Sequence, residues 1–197
     1  MKHPRYRSWN LLFLVLLTTH TLSGCTPVLV ASAVVTTVDI IHDRRTVGEY
    51  IDDSGIELTA GKELIASKEF RDAANVKPVS WNGILLLTGE IDNEATQRRV
   101  VDTLASIQGV RQVVDETVIA TKSNLSSRTS DGWISTKIKS KMVAKTGLDA
   151  NRIKTVTTQG TVYLMGIVTE AEAERAVDIA RSVKGVSRVV KVFEYQQ

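Results

Sequence analysis

The hydrophobic and polar residues of this chain follow one order of patterns twice. Residues 82–89, Asn-Gly-Ile-Leu-Leu-Leu-Thr-Gly, align with residues 159–166, Gln-Gly-Thr-Val-Tyr-Leu-Met-Gly, and residues 107–114 align with residues 183–190. Repetition of this kind indicates copies of one structural unit. Each copy has a helical pattern, two apolar runs around a turn, a second helical pattern and a final β-branched run. We therefore predict the order helix, strand, strand, helix, strand for both halves.

Local signals define the bounds of the predicted elements in the first copy. Ser54 and Glu57 have the form of a capping box at the start of the first helix. Asn82-Gly83 is the strongest short signal for a hairpin turn, and Pro78 indicates that the preceding strand lies at an edge. The predicted elements are a helix from about Ser54 to Ala66, a strand through Val76, Val79 and Trp81, a strand from Ile84 to Leu87, a helix from about Asn93 to Ile107 and a strand from Val110 to Ile119.

The second copy repeats these signals after a polar segment without periodicity. Residues 121–129 predict a linker between a domain at 46–120 and a domain at 130–197. Because a unit of about 65 residues buries only about 60% of its unfolded surface, we expect the two domains to dock on each other. Trp81 and Tyr163 flank the two hairpins and are expected to pack within the sheets. The predicted elements are a helix from Asp131 to Lys145, strands from Ile153 to Thr157 and from Val162 to Met165, a helix capped by Thr169 with Glu172 and a strand from Val189 to Tyr195.

The N-terminal residues have the features of an export signal. Residues 1–24 carry Lys2, Arg5 and Arg7 before an apolar core from Leu11 to Leu17, which is too short to span a membrane. The following Leu22-Ser23-Gly24-Cys25 resembles the lipobox of bacterial lipoproteins. That resemblance implies cleavage before Cys25 and a covalent diacylglyceryl and N-acyl lipid on its thiol and amino groups; the alternative for a lone cysteine is a buried, inert thiol. Residues 25–45 are then a lipidated tether.

Removal of residues 1–24 changes the charge of the chain. That segment holds three of the 25 basic residues and none of the 22 acidic ones, so the mature chain is formally neutral and offers no argument for nucleic-acid binding. Its one histidine, His42, lies in the tether, and no clustered nucleophile, base or metal ligands are evident. We predict no catalytic residues, no metal site, no cofactor besides the lipid on Cys25 and no small-molecule substrate.

Glycine positions and short motifs connect the repeat to a known family. Each copy has a glycine in its hairpin, a glycine at the end of its second strand and Gly-Val before its last strand, as in BON domains. Arg45-Thr46-Val47-Gly48, Trp133-Ile134-Ser135-Thr136-Lys137 and residues 163–170 resemble the dual BON-domain outer-membrane lipoprotein family, the DolP- or YraP-like proteins. The resemblance implies an α+β fold of two tandem BON domains, each αββαβ with a three-stranded mixed sheet packed against two helices.

The same resemblance implies a function and a location. Members of this family are non-enzymatic, bind anionic phospholipid, concentrate at the division site and support outer-membrane integrity and the β-barrel assembly machinery. Their lipid-contacting element is the first helix of the second domain, which falls here on Trp133 and the helix that follows it. With Thr26 rather than Asp after the lipidated cysteine, the resemblance implies the periplasmic face of the outer membrane in a Gram-negative cell.

Charge and helical spacing test that expectation independently of the resemblance. Residues 46–120 contain 7 basic and 13 acidic side chains, whereas residues 130–197 contain 11 and 7. At 100° per residue, Ile134, Ile138 and Met142 form a core stripe. A neighbouring face holds the predicted lipid-binding residues Trp133, Lys137, Ser140 and Ala144, with Lys141 on its border. An aromatic residue beside lysines suits a membrane interface; the alternative is a tryptophan packed on its own sheet and an ordinary solvated lysine face.

Two functions therefore remain in competition. In the first, the protein is anchored through Cys25 and binds an anionic membrane, phosphatidylglycerol or cardiolipin, through the first helix of domain two. In the second, it is a protein-interaction module that docks on an envelope factor such as the β-barrel assembly machinery, and the lipid is only a tether.

Overall fold

The chain folds as two α+β domains of the same type, as the repeat predicts. The computed structural model describes residues 44–120, 126–144 and 148–196. Domain one contains α1 (Val47–Ala66), α2 (Lys68–Ala73), β1 (Ala74–Trp81), β2 (Ile84–Ile91), α3 (Glu94–Ala105) and β3 (Gln112–Ile119). Domain two contains α4 (Ser126–Ala144), a 3₁₀ turn (Ala150–Arg152), β4 (Lys154–Thr158), β5 (Thr161–Val168), α5 (Glu170–Arg181) and β6 (Arg188–Tyr195).

Each domain has a three-stranded mixed sheet in which the second strand is central. The hairpin strands pair antiparallel, and the last strand pairs with the central one in parallel, giving the orders β1-β2-β3 and β4-β5-β6. The central strands β2 and β5 are buried almost throughout. Burial on both faces explains why they consist of unbroken apolar runs rather than alternating residues. Pro78 lies in the edge strand β1, as predicted.

One face of each sheet is covered by the helices of its own domain. In domain one, the α1 residues Ile56, Ala60 and Leu64 are buried against the sheet, as the helical spacing predicts. In domain two the corresponding α4 residues are Ile134, Ile138 and Met142, all buried. Each domain therefore has its own core between helices and sheet. Domain one has the short helix α2 in addition to the two predicted helices.

The opposite faces of the two sheets pack against each other. A third buried cluster draws side chains from both sheets and includes Trp81 and Tyr163, which are 5% and 4% exposed. Both aromatic residues therefore pack in the sheet layers, as expected. The result is a four-layer arrangement with helices outside and sheets inside, and the expected docking of the domains is confirmed. The other members of the cluster are Val79, Ile84, Leu86, Val156, Met165 and Val192.

Ion pairs cross the same boundary at its rim. The Arg111 guanidinium lies 2.7 Å from the Glu194 carboxylate, and the Lys154 ammonium lies 2.8 Å from the Glu57 carboxylate. Glu116 of domain one also pairs with Arg188 of domain two. Two of these three contacts join an acidic residue of domain one to a basic residue of domain two. Part of the opposite net charge of the domains is thus used in holding them together.

The last two residues of the predicted tether are part of the folded structure. Arg44 donates two hydrogen bonds to Glu172, at 2.8 and 3.0 Å, and one to the carbonyl oxygen of Ile167, all in domain two. Arg45 is buried in domain one, where its guanidinium pairs with Asp53 and stacks 3.5 Å from the centre of the Trp81 ring. Assigning all of residues 25–45 to a tether is therefore wrong at its C-terminal end.

The first helix of each domain begins earlier than its sequence pattern predicts. The capping box of α1 is formed by Thr46 and Glu49, so the assignment to Ser54 and Glu57 is wrong. Glu57 instead accepts a hydrogen bond from the Ser80 backbone, 23 residues away in sequence, and pairs with Lys154, 97 residues away. Helix α4 begins at Ser126, inside the linker predicted at 121–129. The box of Thr169 and Glu172 at α5 is confirmed.

A buried aspartate ties the first helix of each domain to the hairpin turn. In domain two, Asp131 accepts hydrogen bonds from the backbone N–H groups of Gln159 and Gly160, at 2.9 and 3.0 Å. Asp53 makes the same pair of contacts with Asn82 and Gly83 in domain one. In domain two these turn residues have φ of +49° and +74°, a left-handed conformation in which Gly160 suffers no side-chain strain. The aspartates therefore fix the position of the helices relative to the sheets.

We predict that Asp131→Ala lowers the free energy of unfolding by about 1–3 kcal/mol, because it leaves two turn N–H groups without their acceptor. Urea denaturation followed by circular dichroism measures the change. Asp178→Ala is the matched control, since Asp178 is exposed on α5, and it should change stability by less than about 0.5 kcal/mol. Equal effects of the two substitutions would contradict this role of Asp131.

The Arg44 contact makes stability depend on pH. Burial tends to raise the pKa of Glu172, but hydrogen bonds from the Thr169 backbone and from Arg44 outweigh burial and lower the pKa overall. Because the folded pKa is lowered, the stabilisation is present above the unfolded pKa of about 4.3 and is lost as pH falls through the folded value. Glu172→Gln should cost about 1–2 kcal/mol at pH 7, and the difference from wild type should vanish in acid.

Chemical denaturation of both proteins from pH 7 to pH 3 measures this effect. Glu174→Gln removes the same charge from an exposed position on α5 and serves as the control. A Glu172→Gln effect that stays constant down to pH 3 would show that ionisation of Glu172 is not its source.

Candidate lipid-contacting surface

Helix α4 has a buried face and an exposed face, divided as the helical spacing predicts. Ile134 is 4% exposed, and Ile138 and Met142 are fully buried in the core of domain two. Trp133, Lys137, Ser140 and Ala144 are all exposed. The structure therefore brings four of the predicted lipid-binding residues together on one outward surface, which we call the α4 face.

Trp133 is the largest apolar group on the α4 face. Its side chain is 53% exposed, so the part of the alternative in which Trp133 packs on its own sheet is wrong, whereas the exposed lysines do not contradict an ordinary solvated lysine face. The Lys137 ammonium lies 5.6 Å from the centre of the Trp133 ring, one helical turn away. Such a cation–π contact contributes about 0.5–1 kcal/mol at an exposed site. The contact places a positive charge beside the ring, an arrangement suited to a negatively charged headgroup above an apolar phase.

The remaining residues of the α4 face are small or apolar. The Ser140 hydroxyl donates to the carbonyl oxygen of Thr136 at 2.9 Å, so it is engaged within the helix. Val143 is 74% exposed, the most exposed large hydrophobic residue of the described chain, and lies beside Ser140 and Ala144. Sequence reasoning missed Val143, although its position one turn beyond Ser140 was a signal for it. With Trp133 it gives the surface two exposed apolar groups.

Lys141 has a different environment from Lys137. Its ammonium donates to the backbone oxygen of Ser182 at 3.1 Å and to the Ser182 hydroxyl at 3.0 Å. Ser182 is the C-cap of α5, where the helix dipole places partial negative charge. Lys141 therefore links α4 to the end of α5, and its charge is partly neutralised there. Lys137 and Lys139, in contrast, form no ion pair with any described residue.

A polar groove of about 770 Å³ lies between the edge strands β1 and β4, next to the start of α4. Three of its charged side chains are engaged there: Glu57 pairs with Lys154, and Asp131 holds the hairpin turn.

Two predicted features lie outside the described residues. Cys25 and Lys145 are among them, so the lipidation site and the last lysine of the predicted helix have no structural description here. Within the described ranges, no helix combines the length and apolar character needed to cross a membrane.

Comparisons with known proteins agree with the repeated architecture. The BON domain model matches residues 52–121 and 130–197. The outer membrane lipoprotein DolP of Haemophilus influenzae is 30% identical over 174 residues, which cover 88% of this chain and 90% of that protein. The 21 kDa hemolysin of Actinobacillus pleuropneumoniae is 31% identical, with 79% of this chain and 80% of the relative covered.

A further relative is the osmotically-inducible protein Y of Escherichia coli, which is 26% identical over 73% of this chain and 72% of its own length. The two matched domains and the extent of the similarity to DolP establish the family. The chain belongs to the dual BON-domain outer-membrane lipoproteins of the DolP type.

Proposed function

We propose that this protein is held at the periplasmic face of the outer membrane by lipid on Cys25 and binds anionic phospholipid through the α4 face. In that position it supports outer-membrane integrity, at the division site, without catalysing a reaction. The observation that carries the proposal is the exposed pair of Trp133 and Lys137 on a helix whose other face is fully buried. The family resemblance supports the membrane location and the division site.

The residue types on the α4 face support a membrane interface. Trp133 and the adjoining Val143 supply apolar surface to the acyl boundary, while Lys137 supplies charge to the headgroups. Each basic residue near an anionic surface contributes about 1 kcal/mol. From Gly132 to Ala144 the helix contains no acidic residue to oppose this attraction.

A covalent lipid changes how much affinity the α4 face needs. Cys25 would bring domain two to the membrane at high effective concentration, so that weak headgroup contacts select the lipids next to the protein. The anchor and the helix then have separate roles: Cys25 holds the protein at a membrane, and the α4 face determines the composition of the membrane patch around it.

The competing function, docking on the β-barrel assembly machinery or another envelope protein, makes a different prediction. In that case a fragment without the lipid has no affinity for vesicles, and the exposed residues of α4 contact a protein. Vesicle binding by the unlipidated protein therefore separates the two functions.

We predict that residues 44–197 without the lipid co-sediment with phosphatidylglycerol vesicles at low salt and not with phosphatidylcholine vesicles. The fragment begins at Arg44 because Arg44 and Arg45 are part of the folded structure. Trp133→Glu should abolish the binding, because it places a negative charge among the headgroups. Tyr195→Glu, at a 50% exposed aromatic residue on β6, is the matched control and should bind as wild type does.

Circular dichroism spectra of both variants must match the wild type, so that loss of binding reports on the surface rather than on folding. Wild-type protein that ignores phosphatidylglycerol would refute lipid recognition and favour the protein-docking function. Retained binding by Trp133→Glu would remove Trp133 from the site.

Lys137 and Lys141 should respond differently to neutralisation. Lys137→Gln removes a lysine without an acidic partner and should weaken vesicle binding about fivefold at low salt, from a loss of about 1 kcal/mol. Lys141→Gln removes the contact with Ser182, so it should weaken vesicle binding less and lower the thermal unfolding midpoint more. Vesicle titrations and thermal melts of the two variants measure this difference, and equal behaviour in both assays would contradict it.

A further inference from the structure

The outward side of α1 carries a stripe of exposed hydrophobic residues. Val47, Ile51, Leu58 and Ile65 are 55%, 63%, 60% and 67% exposed. Their spacing of four, seven and seven residues places them along one line of the helix, opposite the buried Ile56, Ala60 and Leu64. We call this line, with Ser54 and Gly61 between its large members, the α1 stripe.

The α1 stripe does not follow from the needs of the domain core. The core is already filled by the other side of α1, and domain one has six more acidic than basic side chains in residues 46–120. Yet no acidic residue lies on the stripe. A row of apolar side chains on an otherwise acidic domain marks a surface for interaction.

Large and small residues alternate along the α1 stripe in a self-complementary order. Its members fall at the spacing of a helix–helix seam, with Ile51, Leu58 and Ile65 at one heptad position and Val47, Ser54 and Gly61 at the other. Position 56 is the midpoint between Ile51 and Gly61, between Ser54 and Leu58, and between Val47 and Ile65. When two copies pair antiparallel with position 56 at the centre, Ile51 of one copy therefore lies opposite Gly61 of the other, and Leu58 lies opposite Ser54.

Charge at the edge of the seam agrees with the same arrangement. Lys62 is the charged residue closest to the stripe, and Asp52 lies further round the same flank of α1. In an antiparallel pair the same flanks of the two helices are adjacent, and Lys62 of one copy lies near the level of Asp52 of the second copy. Two symmetry-related ion pairs then border the apolar seam.

We propose that the α1 stripe is a homodimerisation surface through which two copies pair antiparallel about position 56. The interface is isologous, as in most symmetric dimers. It does not use the α4 face and is independent of lipid binding there. In a standard interface each partner buries about 800 Å², and one helix stripe buries less than that. The dimer is therefore weak in dilute solution. It is favoured where a lipid anchor concentrates the copies on a membrane.

Cysteine cross-linking in the full-length chain, expressed in cells and oxidised in isolated membranes, tests the geometry. Gly55 is one position from the midpoint, so two Gly55 residues lie about 3 Å apart along the helix axes. Gly48 is eight positions away, which separates its two copies by about 24 Å. A Cβ at Gly55 meets no atom within 4 Å, and one at Gly48 meets only Thr46 Oγ1 at 3.7 Å, so both positions of α1 accept cysteine.

Gly55→Cys should form a disulfide-linked dimer at least ten times faster than Gly48→Cys, and the wild-type chain should form none through Cys25. Adding Leu58→Lys to Gly55→Cys should abolish the cross-link while the circular dichroism spectrum stays unchanged. Equal cross-linking of the two glycine positions would indicate parallel or random contact and would overturn the proposal.

Absence of the Gly55→Cys dimer would also overturn it. A cross-link of Gly55→Cys to a cysteine introduced at Val34 of the same chain would then assign the stripe to the apolar tether residues 28–41. Loss of vesicle binding on Leu58→Lys, without any cross-linked dimer, would assign it to the bilayer.

Discussion

The contact between the two sheets is the constraint on which the rest of this structure depends. A three-stranded sheet with helices on one side leaves a second apolar face, and in each domain that face is covered by the other domain. Trp81 and Tyr163, with the valines and methionine around them, would be exposed in either domain alone. Because neither domain is large enough to tolerate such exposure easily, the pair of BON domains behaves as one folding unit.

Packing of sheet on sheet leaves the first helices of both domains facing outward, where their outer surfaces are free to differ. The inner residues correspond closely: Asp53 matches Asp131, and Ile56 matches Ile134, in equivalent contacts. Outside, Gly55 of domain one corresponds to Trp133 of domain two. Duplication has thus kept the residues that attach the helix to its sheet and changed those that face other molecules. One helix carries aliphatic residues without charge, and the other carries an aromatic residue with lysines.

Structural features that are determined by neighbouring residues could be predicted from the sequence, whereas features that depend on contacts between distant residues could not. The hairpins, the edge position of Pro78 and the buried side of α4 follow from turn residues and periodicity alone. Two Ser/Thr-x-x-Glu patterns, Thr46 with Glu49 and Ser54 with Glu57, occur near the start of the first helix, however, and spacing does not distinguish them. In the structure Thr46 caps the helix with Glu49, and Glu57 bonds instead to Ser80 and Lys154, which are distant in sequence. With the helix predicted to begin at Ser54, Val47 and Ile51 fall outside it, and the α1 stripe cannot be recognised from the sequence pattern. The roles of Asp131 and Lys141 likewise depend on Gly160 and Ser182, residues that no local pattern connects to them.

The two arginines at the entry of the chain determine how a mechanical load enters the protein. Arg44 is bonded to domain two and the adjacent Arg45 to domain one. A pulling force on the N-terminal side of Arg44 is therefore divided between the two domains. It does not act on α1 alone, which would separate that helix from its sheet one turn at a time. A load applied at Arg44 and Arg45 therefore acts on both domains at once, and the packed sheet faces between them resist it together.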